Sequence, residues 1–202
     1  MQAKPHLRIM SALITSVVAA TLIASCSSGP KIYVNEDPNG SFDKYKTYNY
    51  EGTLGTDEQK GYRSVFSNFM INAMDREMQS RGYQLAADPD LIVNFYVNTE
   101  EKIRTTQSPS MGGYYGYRGG AYGAYGGYDT TVTQYTEGTV NIDLVDNRKD
   151  VLAWEGVIVG RITDKVRENL EEASNAVIAE AMEKYPYVAA GFVPPPPPAE
   201  DQ

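Results

Sequence analysis

The chain of 202 residues holds one cysteine, Cys26, one histidine, His6, and one tryptophan, Trp154. A lone cysteine excludes an internal disulfide, and zinc sites built on Cys and His are excluded with it. Ser-His-Asp or Cys-His catalysis would rest on His6 alone. Basic residues are also short, 18 against 26 acids, for a net charge of −8. Nucleic acid needs a basic face and anionic lipid a polybasic one, so neither is expected as a charge-driven partner. Only carboxylate chemistry and oxygen-ligated Ca²⁺ or Mg²⁺ are compatible with this composition, and no cofactor or metal is expected.

Long apolar runs are scarce as well. Ile9 to Ala24 is apolar or small throughout, but its 16 residues reach only about 24 Å as a helix, against a hydrocarbon core of roughly 30 Å. Lys4 and Arg8 precede it without an acid, and small residues follow. This pattern predicts a secretory signal peptide over residues 1–25. Ile23-Ala24-Ser25-Cys26 resembles the lipobox of bacterial lipoproteins. The resemblance implies cleavage between Ser25 and Cys26, a lipidated Cys26 thiol, and, with Ser27 rather than Asp next, an outer membrane location facing the periplasm. The plainer alternative is an unmodified thiol beside an ordinary cleavage site. One acyl chain holds a protein only marginally, at about 0.8 kcal/mol per buried methylene, whereas several hold it stably. Without residues 1–25 the chain has no histidine and a net charge of −10. Residues 26–31 would then be the lipidated cysteine and its tether.

From residue 32 the patterning is that of one domain. Ile32-Tyr33-Val34 and Tyr45-Lys46-Thr47-Tyr48-Asn49-Tyr50 are β-prone and flank an Asp37-Pro38-Asn39-Gly40 turn, which suits a hairpin. Thr56-Asp57-Glu58-Gln59 has capping-box spacing. Val65, Phe66, Phe69, Met70, Ala73 and Met74 then recur at helical spacing until Gly82. Leu91, Val93, Phe95 and Val97 alternate with Asn94 and Asn98, and Val140, Ile142 and Leu144 with Asn141 and Asp143. Val151 to Val159 returns as a strand, with Leu152, Trp154 and Ile158 on one face. Thr163 or Asp164 caps a last helix, whose stripe includes Val166, Leu170, Val177, Ile178 and Ala181. The expected fold is α+β, an antiparallel sheet of about five strands with two helices on one face, in β-β-α-β-β-β-α order. Residues 189–202 read as a proline-rich disordered tail.

Four segments, "FDKYKTYNY" (42–50), "DPDLIVNFYV" (88–97), "GTVNIDLVD" (138–146) and "LAWEG" (152–156), resemble a family of bacterial lipoproteins, DUF4136, in order and spacing. The resemblance covers roughly residues 30–188. It implies an α+β envelope lipoprotein with no enzymatic activity or catalytic residues to transfer.

Met111 to Tyr128 does not fit a core. Eight of its 18 residues are glycine and six are Tyr114, Tyr115, Tyr117, Tyr122, Tyr125 and Tyr128. Such glycine content raises the cost of ordering, so residues 105–129 are expected to form an inserted loop. The tyrosines offer flat apolar area with a hydroxyl, suited to a sugar ring or a protein partner; a tolerated low-complexity insertion is the alternative. Among carboxylates, Glu100 and Glu101 point to opposite sides of a strand. Asp143 is expected in solvent, Asp146 in a turn, and Glu171 and Glu172 on a solvated helix face. The expected function is therefore a non-enzymatic, lipid-anchored envelope protein that binds or organises envelope proteins or glycans. A carbohydrate or peptidoglycan module using the Gly/Tyr loop is the alternative, and a carboxylate-dependent hydrolase is more distant.

Overall fold

Two strands of 20 residues each dominate the computed structural model, which describes residues 29–110 and 127–194. In chain order the elements are β1 (Lys31–Glu36), β2 (Thr47–Tyr50), α1 (Val65–Ser80), β3 (Gln84–Leu85), β4 (Leu91–Ser110), β5 (Gly127–Asp146), β6 (Val151–Arg161), α2 (Asp164–Glu168) and α3 (Leu170–Met182). The strands form one sheet in the order β1-β6-β5-β4-β2-β3. This corrects the expectation of about five antiparallel strands and two helices: the sheet is mixed and six-stranded, with three helices.

The parallel pairs have a simple cause. The chain leaves β2 through the 16-residue helix α1 and comes back beside itself, and a helical crossover returns a strand parallel. β2 accordingly pairs parallel with both β3 and β4. The expected β1–β2 hairpin does not form. β1 instead pairs antiparallel with β6 at the far edge, placing Ile32 opposite Ile158 and Val34 opposite Gly156. There its apolar residues extend the face covered by helices.

Helix α1 begins later than its capping-box pattern suggests. Ser64 is the N-cap, and its hydroxyl accepts from the Ser67 amide at 3.2 Å. Thr56 to Lys60 form turns instead, where the buried Asp57 accepts from the Ser64 amide (3.1 Å) and the Ser67 hydroxyl (2.8 Å). Gly82, at φ +83°, ends the helix. The Tyr83 amide donates to Met78 (3.0 Å) and the Gly82 amide to Gln79 (2.9 Å), a closure that needs a left-handed residue. The single expected last helix is two, broken at Asn169 (φ −129°, ψ 56°), with Thr163 capping the first.

Met70, Met74 and Met78 of α1 and Ile178, Ala181 and Met182 of α3 pack on Tyr48, Leu91, Val93, Phe95, Ile142, Leu144, Trp154 and Ile158 of the sheet. Buried tyrosines keep their hydroxyls partnered, as burial requires. Tyr48 and Tyr50 both donate to Asp75 Oδ1 (2.8 and 2.7 Å), and the Tyr83 and Tyr185 hydroxyls meet at 2.9 Å. The packed chain continues past residue 188: Ala189 is buried, and the Ala189 and Ala190 amides donate to Arg81 and Tyr45.

A bulge explains one reversal. Leu144 pairs with Trp154 and Val145 with Leu152, so Ala153 is the extra residue on β6. Ala153 and Trp154 are both buried, while Leu152, expected on the Trp154 face, is turned out to solvent. Gly156 lies beneath the indole: a Cβ there would stand 2.6 Å from Trp154 Cη2. Gly156→Ala should therefore lower unfolding free energy by about 1–3 kcal/mol through overpacking. Gly160→Ala, whose Cβ meets Pro30 at 3.3 Å, should cost less in the same urea titration.

Candidate functional site

Because the helices share one side of the sheet, strand alternation aims a second set of side chains away from them. The strand registers align that set into rows. One row is Tyr33, Val157, Asn141 and Tyr96; the neighbouring row is Asn35, Glu155, Asp143 and Asn94. Strands lie about 4.8 Å apart, so Tyr33 and Tyr96, three spacings from each other, stand roughly 14 Å apart, and the two rows are separated by roughly 7 Å. Tyr33 is 54% exposed and Tyr96 42%. Tyr96 is held in place: Asn94 Nδ2 donates to its hydroxyl at 3.0 Å, and Gly55 packs so closely on the ring that no Cβ would fit. The Gly55 amide also donates to Asn94 Oδ1 at 2.9 Å.

The two carboxylates of the polar row are unequally served. Glu155 accepts from Asn35 Nδ2 at 2.8 Å and from Asn141 Nδ2 at 3.1 Å, one on each oxygen. Asp143, directly opposite Glu155, has its Oδ1 buried without a hydrogen-bond partner among the described residues. Burial, with the Glu155 charge adding, pushes the Asp143 carboxyl up to about 6. Asp146, on the helix side, is the contrast. Burial opposes its ionisation too, but the Tyr45 hydroxyl (2.8 Å) and the Lys149 and Arg148 amides outweigh that and hold it below the usual carboxylate range.

A raised carboxyl pKa means the folded state favours the protonated form. The stability linked to Asp143 is thus fully present below its ordinary value of 3.8 and lost as pH rises through about 6. Asp143→Asn should match the parent near pH 4 and exceed it by about 1–2 kcal/mol above pH 7, after allowing for solvent screening. Urea titrations across that range read the difference directly; a gap that does not change with pH would contradict it.

The second feature is an arm. β6 ends opposite Glu137, and the Ile162 amide still donates to Thr136 at 2.9 Å; beyond that point Glu101–Ser110 and Gly127–Tyr135 pair only with each other among the described residues. Ten residues at about 3.4 Å each make a ribbon roughly 34 Å long. Ile103 is 65% and Val132 62% exposed on its helix-side face. Its base is braced by Lys102, at 2.7 Å from Glu100 and 4.0 Å from Glu137, by Arg161 over the Tyr135 ring at 4.0 Å, and by Arg167 donating to the Thr136 hydroxyl at 3.2 Å.

Among the sequence-predicted site residues, Ser25, Cys26, Tyr114, Tyr115, Tyr117, Tyr122 and Tyr125 lie outside the described residues. Tyr128 is exposed on β5, opposite Pro109 near the far end of the arm. Residues 105–110 and 127–129, expected as loop, are strand, because the β4–β5 ladder continues to the Ser110–Gly127 pair. Glu100 faces Glu137 across the arm base, and Glu171 and Glu172 occupy the first turn of α3. Asp143 is not the solvated carboxylate expected, because its neighbours on the sheet enclose it. Sequence reasoning missed Tyr33, Tyr96, Asn35, Asn141 and Glu155 as a set. The alternation of Asn94 with Val93 and Phe95 marked the face, but only the strand order brings the set together.

The chain belongs to the family described as domain of unknown function DUF4136, whose model matches residues 32–187. A comparison with the curated proteins finds no match. Among solved structures, it is similar to a PDZ domain protein from Parabacteroides distasonis at 12% identity and a TM-score of 0.49, over 81% of this chain and 38% of that one. It is also similar to the PelC dodecamer from Paraburkholderia phytofirmans, at 10% identity and a TM-score of 0.41, over 76% and 94%. A putative neuraminyllactose-binding hemagglutinin homolog from Helicobacter pylori shares 10% identity at a TM-score of 0.34, over 69% and 81%. Likenesses this distant carry no functional argument.

Proposed function

We propose that this protein is a lipid-anchored component of the bacterial envelope, held through Cys26 at the outer membrane facing the periplasm, that binds and organises other envelope components without catalysing a reaction. The observation that carries the reading is the arm. A two-stranded ribbon is marginally stable in water by itself, and a free strand edge is a template for another chain. This one combines unpaired edges on both sides with exposed Ile103 and Val132. An extended partner segment that adds a strand to the ribbon and covers Ile103 would satisfy both needs at once. The anchor rests on the lipobox-like sequence and on a net charge of −10 beyond residue 25, which leaves lipid rather than basic charge to hold the protein.

Two measurements test this. Cys26→Ala should move the protein from the membrane pellet to the soluble fraction, with the loss of metabolic fatty-acid label. A photoreactive residue replacing Val132 should give a discrete protein adduct in living cells, while one replacing Leu152, exposed on the body, should not. Equal labelling from both positions, or none from Val132, would contradict a role for the arm.

A further inference from the structure

We infer that the open face of the sheet is a glycan-binding platform, with Tyr33 and Tyr96 stacking on two sugar rings of one extended, uncharged chain while Asn35, Asn141, Asp143 and Glu155 bond its hydroxyls. The inference deepens the envelope reading and rests on it only for where such a glycan would be met. Stacking needs flat rings that are accessible and pre-placed, and the two tyrosines meet this. They end the same cross-strand row, roughly 14 Å apart, and Tyr96 is fixed by Asn94 and Gly55. A ring with only two χ angles loses little entropy when it is covered.

The polar row supplies the rest. A pyranose presents hydroxyls that both donate and accept, and the face offers both functions: amide groups from asparagines and acceptors from two carboxylates. Glu155 already takes one amide on each oxygen, whereas Asp143 Oδ1 has no donor. The shape fits a chain. The rows run across the strands, so they can follow an extended ligand. Charge sets the class. The Asp143–Glu155 pair repels phosphorylated and acidic glycans, and no arginine or lysine lies within the two rows.

Isothermal titration of the full-length protein in neutral detergent with chitohexaose and with cellohexaose tests the inference. Binding of at least one is expected, and the preference between them tells an acetamido sugar from a plain hexose. Tyr33→Ala and Tyr96→Ala should each weaken binding about tenfold or more, whereas Tyr128→Ala, on the arm, should leave it unchanged. Tyr33 is an exposed edge residue, so its replacement also guards against a loss caused by misfolding. No binding of either sugar, or binding insensitive to both platform changes, would overturn the platform. So would shortening of the sugar, since a binding surface returns its ligand intact. The two readings fail separately. Sugar binding lost with the Val132 adduct retained would remove the platform alone, and the reverse would remove the arm alone.

Discussion

Helices α1 and α3 meet the sheet through a single layer of side chains, with Met70, Met74 and Met78 from one and Ile178 and Met182 from the other against Phe95, Leu144 and Trp154. The rest of the structure depends on this one-sided burial. It fixes strand register, because a slip by one residue would exchange Phe95 for Asn94 and Leu144 for Asp143 in the dry layer. It also fixes what is left uncovered. Among the described residues, helices cover the six-stranded body on one side only, which leaves the other side and the far half of the β4–β5 hairpin uncovered.

The uncovered surfaces differ in chemistry. The arm is rich in threonine, with exposed apolar residues and free edges, which suits a partner that continues the ladder. The open face carries amides, two carboxylates and two tyrosines in register, which suits a ligand with many hydroxyls. Asp143 and Asp146 show how location decides the state of a carboxyl. Three residues apart on the same strand, they emerge on opposite sides. One meets a tyrosine hydroxyl and two backbone amides and stays ionised; the other is buried beside a second acid and resists ionisation.

Local pattern was legible where it depended on near neighbours in sequence. The alternation through Leu91, Val93 and Phe95, the helical recurrence through Met70 and Met74, the stop at Gly82 and the cap at Thr163 are all of this kind, and so is the family resemblance, whose segments fall in the matched span. Long-range choices were not legible. Nothing in Ile32-Tyr33-Val34 says that its partner is β6, more than 120 residues on, instead of the adjacent strand. Thr56-Asp57-Glu58-Gln59 carries the capping pattern, but Asp57 is drawn into a turn by Ser64 and Ser67, and the helix waits for Ser64. The Ala153 bulge, invisible in an alternating run, reverses Leu152. The open-face set needs four strands in order and register, so its members could be read singly and not together.

The central claim is that the arm and the open face are bare in the protein by itself. Hydrogen exchange resolved along the chain tests it most directly. Amides of Val93–Phe95, Ile142–Leu144 and Trp154–Ile158 should exchange slowest, at the rate of global unfolding. Those of Ile103–Gln107 and Thr130–Gln134 should exchange orders of magnitude faster, independently of protein concentration. Protection of the arm equal to that of the body, or rising with concentration, would mean that a second layer or a second copy already covers it, and would contradict the account.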